Sequence, residues 1–228
     1  MNDHFVNEVT GTKETEGLEV YEEPHVYDIC GTLDKLRTRQ PGLMNRESYH
    51  EAAVFLPLIK TEKGFDVLFE VRSSKLSAQP GDICFPGGAI EEGESPQEAA
   101  SRETCEELLV KPEQVEIVCT LDCYLNGRMM VHPFAGYLRD YNGTFYMGEV
   151  AETFRVPLSY FLETEPEAYE QEFTAAPSED FPYDRIQGGK NYKWRKRVDR
   201  YLFYNYEGRE IWGFTAAIVH AFAQMMTG

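Results

Sequence analysis

The sequence lacks several features that define whole classes of protein. Its 228 residues contain no run of 18 apolar residues, which excludes a membrane-spanning helix. Residues 1–25 are polar and acid-rich, without the charged-then-apolar order of a secretory signal, so cytoplasmic residence is the expectation. Positive charge is scarce, since 22 Lys and Arg face 39 Asp and Glu. The resulting net charge of −17 disfavours nucleic acid and anionic membranes as partners, although a small polyanion could bind beside metal ions.

Cysteine is too scarce and too scattered for a disulfide framework. The odd number favours a reducing compartment; the five are Cys30, Cys84, Cys105, Cys119 and Cys123. Cys119, Cys123 and His132 could together bind zinc, but apolar alternation from Val115 to Leu121 indicates a strand, which favours buried thiols. No Ser-His-Asp site is readable. Structural or surface roles are favoured for the isolated histidines, which are His4, His25, His50, His132 and His220.

The remaining pattern predicts one domain of the α+β class with a mixed sheet. Hydrophobic residues make up 42% of the chain, which is enough for a core. We predict an N-terminal arm and lead-in over residues 1–45 and a domain over 46–228, with an insertion or long loop at about 163–200. The predicted strands cover 52–59, 65–71 (after a turn at Lys63-Gly64), 114–122, 129–138 and 201–207, and the predicted helices cover 96–109 and 214–226.

The first of these helices carries three carboxylates on one face. Its start is marked by Ser95 as N-cap, by Pro96 at the first helical position and by Glu98, which completes a capping box. Glu103, Glu106 and Glu107 then follow as i, i+3 and i+4. Such like charges repel unless a cation compensates them, and converging oxygen ligands suit Mg²⁺ or Mn²⁺. A solvated acidic face is the alternative.

A glycine pair before the helix favours the metal site. Gly87-Gly88 lets the backbone approach closely and leaves its carbonyl and amide groups available to a ligand. Gly88, five residues, Glu94, seven residues, and then Arg102-Glu103-Thr104-Cys105-Glu106-Glu107 resembles the signature box of the Nudix hydrolases over about 23 residues. The usual glycine near the helix end is Leu109 here, and Thr104 stands where a larger aliphatic residue is common.

This resemblance implies a fold, a cofactor and a set of site residues. It implies a Nudix-type α/β/α sandwich that cleaves a pyrophosphate linkage with Mg²⁺ or Mn²⁺. The implied ligands are Glu103, Glu106, Glu107 and the carbonyl of Gly87, and Glu94 would pair with Arg102. The proton-accepting carboxylate stays open among Glu106, Glu107, Glu149 and Glu152. Glu149 and Glu152 are expected at a loop-to-helix turn.

A second resemblance bears on the substrate. Arg72-Ser73-Ser74-Lys75-Leu76, Gly81 and Phe85-Pro86-Gly87-Gly88 are similar to the extra motif of the coenzyme A pyrophosphatase branch, as is Ile211-Trp212-Gly213-Phe214-Thr215-Ala216. It implies that Arg72, Ser73, Gly87 and Gly88 contact a coenzyme A-like nucleotide. Where the branch usually has Arg and often has His, this chain has Ser77 and Gln79.

Several alternatives remain open at this point. The substrate could instead be ADP-ribose, another ADP-sugar or a dinucleotide, and a non-catalytic ligand sensor of the same fold is a further hypothesis. A basic cluster with interleaved aromatic residues could contact adenine and a 3′-phosphate, although a solvated loop that balances the acidic stretch 163–172 is favoured. The cluster comprises Lys190, Tyr192, Lys193, Trp194, Arg195, Lys196, Arg197 and Arg200. A homodimer is the base-rate expectation for assembly.

Overall fold

The computed structural model describes residues 37–40 and 42–227. The chain divides into two compact units, Met1–Arg46 and Glu47–Gly228, and all elements below belong to the second. No helix in the described ranges is long and apolar enough to cross a membrane. Cys30, His4 and His25 lie outside the described residues, as does most of the predicted N-terminal arm.

The main sheet is mixed and is built around the apolar segment predicted as a buried strand. Its strands are β1 (His50–Thr61), β2 (Gly64–Arg72), β3 (Ile83–Cys84), β4 (Gly87–Ala89), β5 (Val115–Thr120), β6 (Tyr124–Asn126), β7 (Met129–Leu138) and β8 (Val150–Pro157). The apolar segment is β1, which pairs in parallel with β7 and antiparallel with β2 and β4, and the strand order is β3-β2-β1-β7-β5. β6 pairs with β7, and β8 pairs with β2.

Helices cover both faces of this sheet, which confirms the α/β/α sandwich. Successive side chains of β1 alternate between two cores, because strand side chains point to opposite faces. Val54 and Leu56 pack with helices α2 (Leu158–Glu163) and α3 (Gly213–Thr227), whereas Ala53 and Phe55 pack under α1 (Pro96–Leu108). Burial on both sides explains why β1 reads as a continuous apolar run.

Part of the stretch predicted as an insertion or long loop over 163–200 belongs to a second sheet, whereas residues 174–196 contain only two short 3-10 helices. Strands β9 (Glu167–Phe173), β10 (Arg197–Tyr206) and β11 (Arg209–Trp212) form an antiparallel sheet in the order β11-β10-β9. β9 is acidic and the start of β10 is basic, and Lys196 pairs with Glu172 at 2.6 Å. Arg197 and Arg200 of the basic cluster lie in β10 opposite β9, whereas Lys190 to Lys196 precede that strand. The cluster therefore balances the acidic stretch partly across the strand pair and partly from the loop before it.

Helix α1 begins as predicted and ends in an unexpected way. The backbone N–H of Glu98 donates to Ser95 Oγ at 3.3 Å, and the Ser95 N–H donates to the Glu98 carboxylate at 2.9 Å, which confirms the capping box. At the other end, Leu109 adopts the left-handed conformation with φ 53°. That conformation crowds the Cβ of any residue except glycine, so the helix ends in a strained cap.

We expect Leu109→Gly to raise the free energy of unfolding by about 0.5–1 kcal/mol, because it removes this Cβ crowding. Little burial is lost, since Leu109 is 57% exposed. Chemical denaturation of the variant beside wild type measures the change. Leu109→Ala keeps the Cβ and serves as the control, and an equal gain in Leu109→Ala would contradict the strain argument.

Candidate active site

Gly87 and Gly88 of β4, called the glycine turn below, lie close to β1 on one side and to helix α1 on the other. Gly87 has φ 153°, and a Cβ added there would stand 2.3 Å from the carbonyl oxygen of Ala53. A Cβ added at Gly88 would stand 2.4 Å from the carboxylate of Glu103. Gly87 is therefore required by the backbone, whereas Gly88 leaves the space that the Glu103 side chain fills.

Glu107 faces the turn from within the protein. Its side chain is 5% exposed, and Oε2 accepts the backbone N–H of Gly87 at 2.8 Å. The pKa of Glu107 is raised to about 8, chiefly by burial and also by the charge of Glu103, against the opposing hydrogen bond from Gly87. A carboxyl group in this state releases its proton readily only when positive charge arrives beside it.

Arg102 is held on the same side of the helix by three acceptors. Its Nε donates to Glu94 Oε1 at 2.9 Å and its Nη2 donates to Glu94 Oε2 at 3.0 Å, so the pair expected between them is bidentate. Nη1 donates to Glu103 at 2.8 Å, and the carbonyl of Ala89 accepts from Nη2 at 3.1 Å. This guanidinium joins the loop after β4 to helix α1 and lowers the pKa of Glu94 through its hydrogen bond.

The three helix carboxylates differ in exposure, although they share a face. Burial raises the pKa of Glu103, whose side chain is 17% exposed, against the opposing bond from Arg102. The Glu106 side chain is 63% exposed and lies 3.6 Å from Arg102 Nη1. The face therefore grades from a buried carboxyl at Glu107 to a solvated carboxylate at Glu106.

Glu70 is a fourth acid that sequence reasoning missed. It lies in β2 and is 1% exposed, and its Oε1 has no hydrogen-bond partner among the described residues. Burial raises the pKa of Glu70, and the nearby charge of Glu107 raises it further. In the sequence, Glu70 looks like a polar position on the exposed side of an alternating strand. In the structure, both faces of β2 are buried from Val67 to Glu70, so the carboxyl group lies inside the protein.

Two side chains predicted to bind substrate are placed differently: Arg72 is the last residue of β2, and Ser73 follows it. The positive charge of Arg72 lowers the pKa of both Glu70 and Glu107, so its guanidinium lies near the acids, and its Nε donates to the carbonyl of Ala78 at 3.3 Å. Ser73 is buried, and its hydroxyl accepts the backbone N–H of Lys75 at 3.4 Å. The Ser73 hydroxyl is thus engaged within its own loop, and a contact of Ser73 with substrate stays a prediction.

Glu149 and Glu152, the two acids predicted as alternatives for the proton acceptor, have different surroundings in the structure. Both were expected at a loop-to-helix turn, but Glu149 directly precedes strand β8 and Glu152 lies in it, because this segment pairs antiparallel with β2. Glu152 is bound to Arg209 at 2.6 Å, so it is engaged elsewhere. Glu149 is exposed, and its charge raises the pKa of Glu70, Glu103 and Glu107, which places it beside the cluster.

The predictions for the cysteines need correction. Cys119 and Cys123 are exposed, contrary to the expectation of buried thiols, because both lie toward the end of the sheet where β5 and β6 leave the core. Across residues 37–40 and 42–227, no three His, Cys, Asp or Glu side chains are already arranged to hold a metal ion.

The prediction that His220 is a hydrogen-bonded histidine of the core is confirmed, since its Nδ1 lies 2.8 Å from the hydroxyl of Tyr204.

Comparison with known proteins gives a family match across this site. The model of the NUDIX domain matches residues 49–177. The peroxisomal coenzyme A diphosphatase of Mus musculus is 34% identical over 169 residues, which cover 69% of this chain and 71% of that protein. The mitochondrial Nudix hydrolase 15 of Arabidopsis thaliana is 32% identical over 175 residues, which cover 74% of this chain and 55% of that protein.

Two further matches extend the comparison. An uncharacterized Nudix hydrolase NudL of Enterobacter is 30% identical over 208 residues, which cover 88% of this chain and 96% of that protein. The crystal structure of a Nudix hydrolase from M. smegmatis, RenU, superposes with a TM-score of 0.42 at 25% identity, over 49% of this chain and 72% of that one.

Proposed function

The chain belongs to the NUDIX domain family as a Nudix hydrolase of the coenzyme A pyrophosphatase-like branch, and we propose that it hydrolyses the pyrophosphate bond of coenzyme A or a derivative with the help of Mg²⁺ or Mn²⁺. The expected products are 3′-phospho-AMP and 4′-phosphopantetheine. One observation carries the proposal: the buried carboxyl of Glu107 and the carboxylate of Glu103 meet the glycine turn where no side chain intervenes.

The residues present fit a hard divalent cation. Glu70 supplies a buried oxygen that has no hydrogen-bond partner in the part of the chain that the structure describes, and burial raises the pKa of Glu70, Glu103 and Glu107. Buried carboxylates in this condition are stabilised by a cation with a preference for oxygen ligands. Glu103, Glu106 and Glu107 would hold the ion with the carbonyl of Gly87, and the ion would supply neutralisation of the diphosphate and activation of water.

The chain's own residues then have separable tasks. Arg102, fixed by Glu94, holds Glu103 toward the turn, and its bidentate geometry restricts the side chain to one orientation. The charge of Arg72 acts on the two buried acids by lowering the pKa of Glu70 and of Glu107, and Arg72 would contact a phosphate oxygen of the substrate. Glu149 is exposed beside the carboxylates of helix α1 and would accept the proton, since Glu152 is bound to Arg209.

The substrate class rests on the motif and on the relatives. Arg72-Ser73-Ser74-Lys75-Leu76 leads out of β2 directly beside the site, and a mouse relative and a C. elegans relative are named coenzyme A diphosphatases. Ser77 and Gln79 depart from the branch pattern. ADP-ribose, another ADP-sugar or a dinucleotide is therefore the second candidate.

We expect coenzyme A to be cleaved with a higher kcat/KM than ADP-ribose, by about tenfold or more, because a cationic contact to its additional phosphate would contribute about 1.4 kcal/mol or more. Each substrate is assayed with Mg²⁺ and with Mn²⁺, and the products are identified by mass spectrometry. Equal or faster cleavage of ADP-ribose would overturn the substrate assignment and leave the hydrolase assignment in place.

Further proposals concern the cellular location, the oligomeric state and the partners of the protein. We propose cytoplasmic residence and, from base rates, a homodimer. The net charge of −17 supports the proposal that nucleic acid is not a partner. We also propose that residues 46–228 form the catalytic domain and that 1–45 are a lead-in to it.

A further inference from the structure

A cysteine, a histidine and a glutamate are linked in a row outside the carboxylate site. Cys123 Sγ lies 3.3 Å from Nδ1 of His132, and Nε2 of the same ring lies 2.8 Å from Oε2 of Glu51. An ionised carboxylate can only accept a hydrogen bond, so Nε2 carries a proton in that arrangement. In the neutral form of the ring, Nδ1 then accepts from the S–H of Cys123.

The three residues come from strands that the fold holds firmly. Glu51 lies in β1 and His132 lies in β7, and the two strands pair in parallel with Ala53 opposite His132. Cys123 directly precedes β6, which pairs antiparallel with β7 from Tyr124 onward. The His132 ring is 13% exposed, whereas Cys123 is exposed. A shielded base therefore faces a sulfur that a solute can reach.

This row is separate from the residues proposed to hold the metal ion. Ala53 stands opposite Gly88 on one side and His132 on the other, so His132 lies two strand spacings from the glycine turn, about 10 Å. No member of the row belongs to the carboxylates of helix α1 or to the segment after β2. The hydrolase site and the thiol can be examined independently.

A nucleophile within hydrogen-bond reach of a base, with the base oriented by a third group, is the arrangement that activates Ser and Cys nucleophiles. We propose that Cys123, His132 and Glu51 form a reactive thiol site that undergoes exchange with low-molecular-weight disulfides. His132 acts as the base toward the Cys123 thiol, and Glu51 is a positioning residue that fixes the ring and its tautomer.

The exchange balances without a further oxidant. Nδ1 of His132 takes the proton of the Cys123 thiol, and the sulfur attacks one sulfur of the disulfide. A new S–S bond forms to Cys123 as the S–S bond of the disulfide breaks, and the departing thiolate takes the proton back from His132. Because the charge leaves on sulfur, this reaction needs no oxyanion hole, which an acyl-transfer reaction would require.

The chain provides its own matched control in Cys119. Both thiols are exposed, but Cys119 lies in β5, and no hydrogen bond of its sulfur to histidine is found in the described part of the chain. The full-length, metal-free protein is treated with dithiodipyridine, a neutral disulfide that the net charge of −17 does not repel. Timed quenching and peptide mapping give the rate at each cysteine in the same molecule.

We expect Cys123 to react about tenfold faster than Cys119, and His132→Gln to remove that advantage while Cys119 keeps its rate. Glu51→Gln should reduce the Cys123 rate and the ultraviolet thiolate absorbance that Cys123→Ser abolishes, with an unchanged thermal transition. Equal rates at Cys123 and Cys119 in wild type would overturn the proposal. So would an unchanged Cys123 rate in a folded His132→Gln or, where that variant does not fold, in Glu51→Gln.

Discussion

Glu107→Gln is expected to lose hydrolysis by about a thousandfold or more and, at the same time, to make the metal-free protein more stable. The first effect follows from removing a carboxylate from the proposed metal ligands. The second follows because Glu107 is 5% exposed and its pKa is raised to about 8, so ionising it in the folded state costs free energy. Glutamine keeps an oxygen for the Gly87 N–H and carries no charge.

The stability gain should depend on pH in a defined direction. The folded protein binds the Glu107 proton more tightly than the unfolded chain, whose carboxyl has the ordinary pKa of 4.5. Wild type therefore loses stability as pH rises from 4.5 through about 8, whereas the Gln variant lacks this loss. The difference between the two should grow with pH to something on the order of 2–4 kcal/mol.

Glu106→Gln is the matched comparison for this prediction. Its carboxylate is 63% exposed, so the variant should lose activity without gaining stability. Denaturation of all three proteins in the absence of metal, at several pH values, separates the two effects. A Glu107→Gln variant that hydrolyses substrate at the wild-type rate, or that is less stable than wild type at high pH, would contradict the account.

Gly87→Ala is expected to lower the free energy of unfolding by about 3 kcal/mol or more. Its Cβ would stand 2.3 Å from the carbonyl oxygen of Ala53 and 2.6 Å from Cα of Val54, both backbone atoms in the central strand. The φ of 153° adds strain for any residue with a Cβ. Denaturant unfolding measures the loss.

Gly88→Ala is expected to change the activity of the protein and not its stability. Its Cβ would meet the end of the Glu103 side chain at 2.4 Å, and a flexible carboxylate can move aside. We therefore expect a folded variant with strongly reduced kcat, since Glu103 is displaced from the turn. A Gly88→Ala variant with full activity, or a Gly87→Ala variant as stable as wild type, would show that the turn has been assigned the wrong role.

Local signals in the sequence predicted the parts of the fold that depend on neighbours in the chain. The capping box of Ser95 and Glu98 and the apolar run of β1 fix α1 and the centre of the sheet, because caps and periodicity act over a few residues. The carboxylate face followed from helical spacing alone. Strand β8 and the acidic strand β9 were missed, because their pairing with β2 and β10 is set by distant partners.

The parts of the site that escaped prediction are those that burial creates. Glu70 reads as an ordinary polar position in an alternating strand, and only packing on both faces of β2 buries it. Its Oε1 then has no hydrogen-bond partner within the described ranges. A leucine at position 109 disfavours a left-handed helix end, yet the chain adopts that conformation there. The last carbonyls of α1 accept hydrogen bonds from the Thr144 hydroxyl and from the Tyr146 N–H. Tertiary contacts there outweigh a local preference of about 1 kcal/mol.

The most direct test of the account is anomalous scattering from a crystal of the protein soaked in manganese. We predict an anomalous peak coordinated by Glu107 and Glu103 beside the Gly87 carbonyl, with Arg102 still bound to Glu94. Carboxylates that point apart into solvent at saturating manganese, with no peak between helix α1 and the glycine turn, would contradict the central claim.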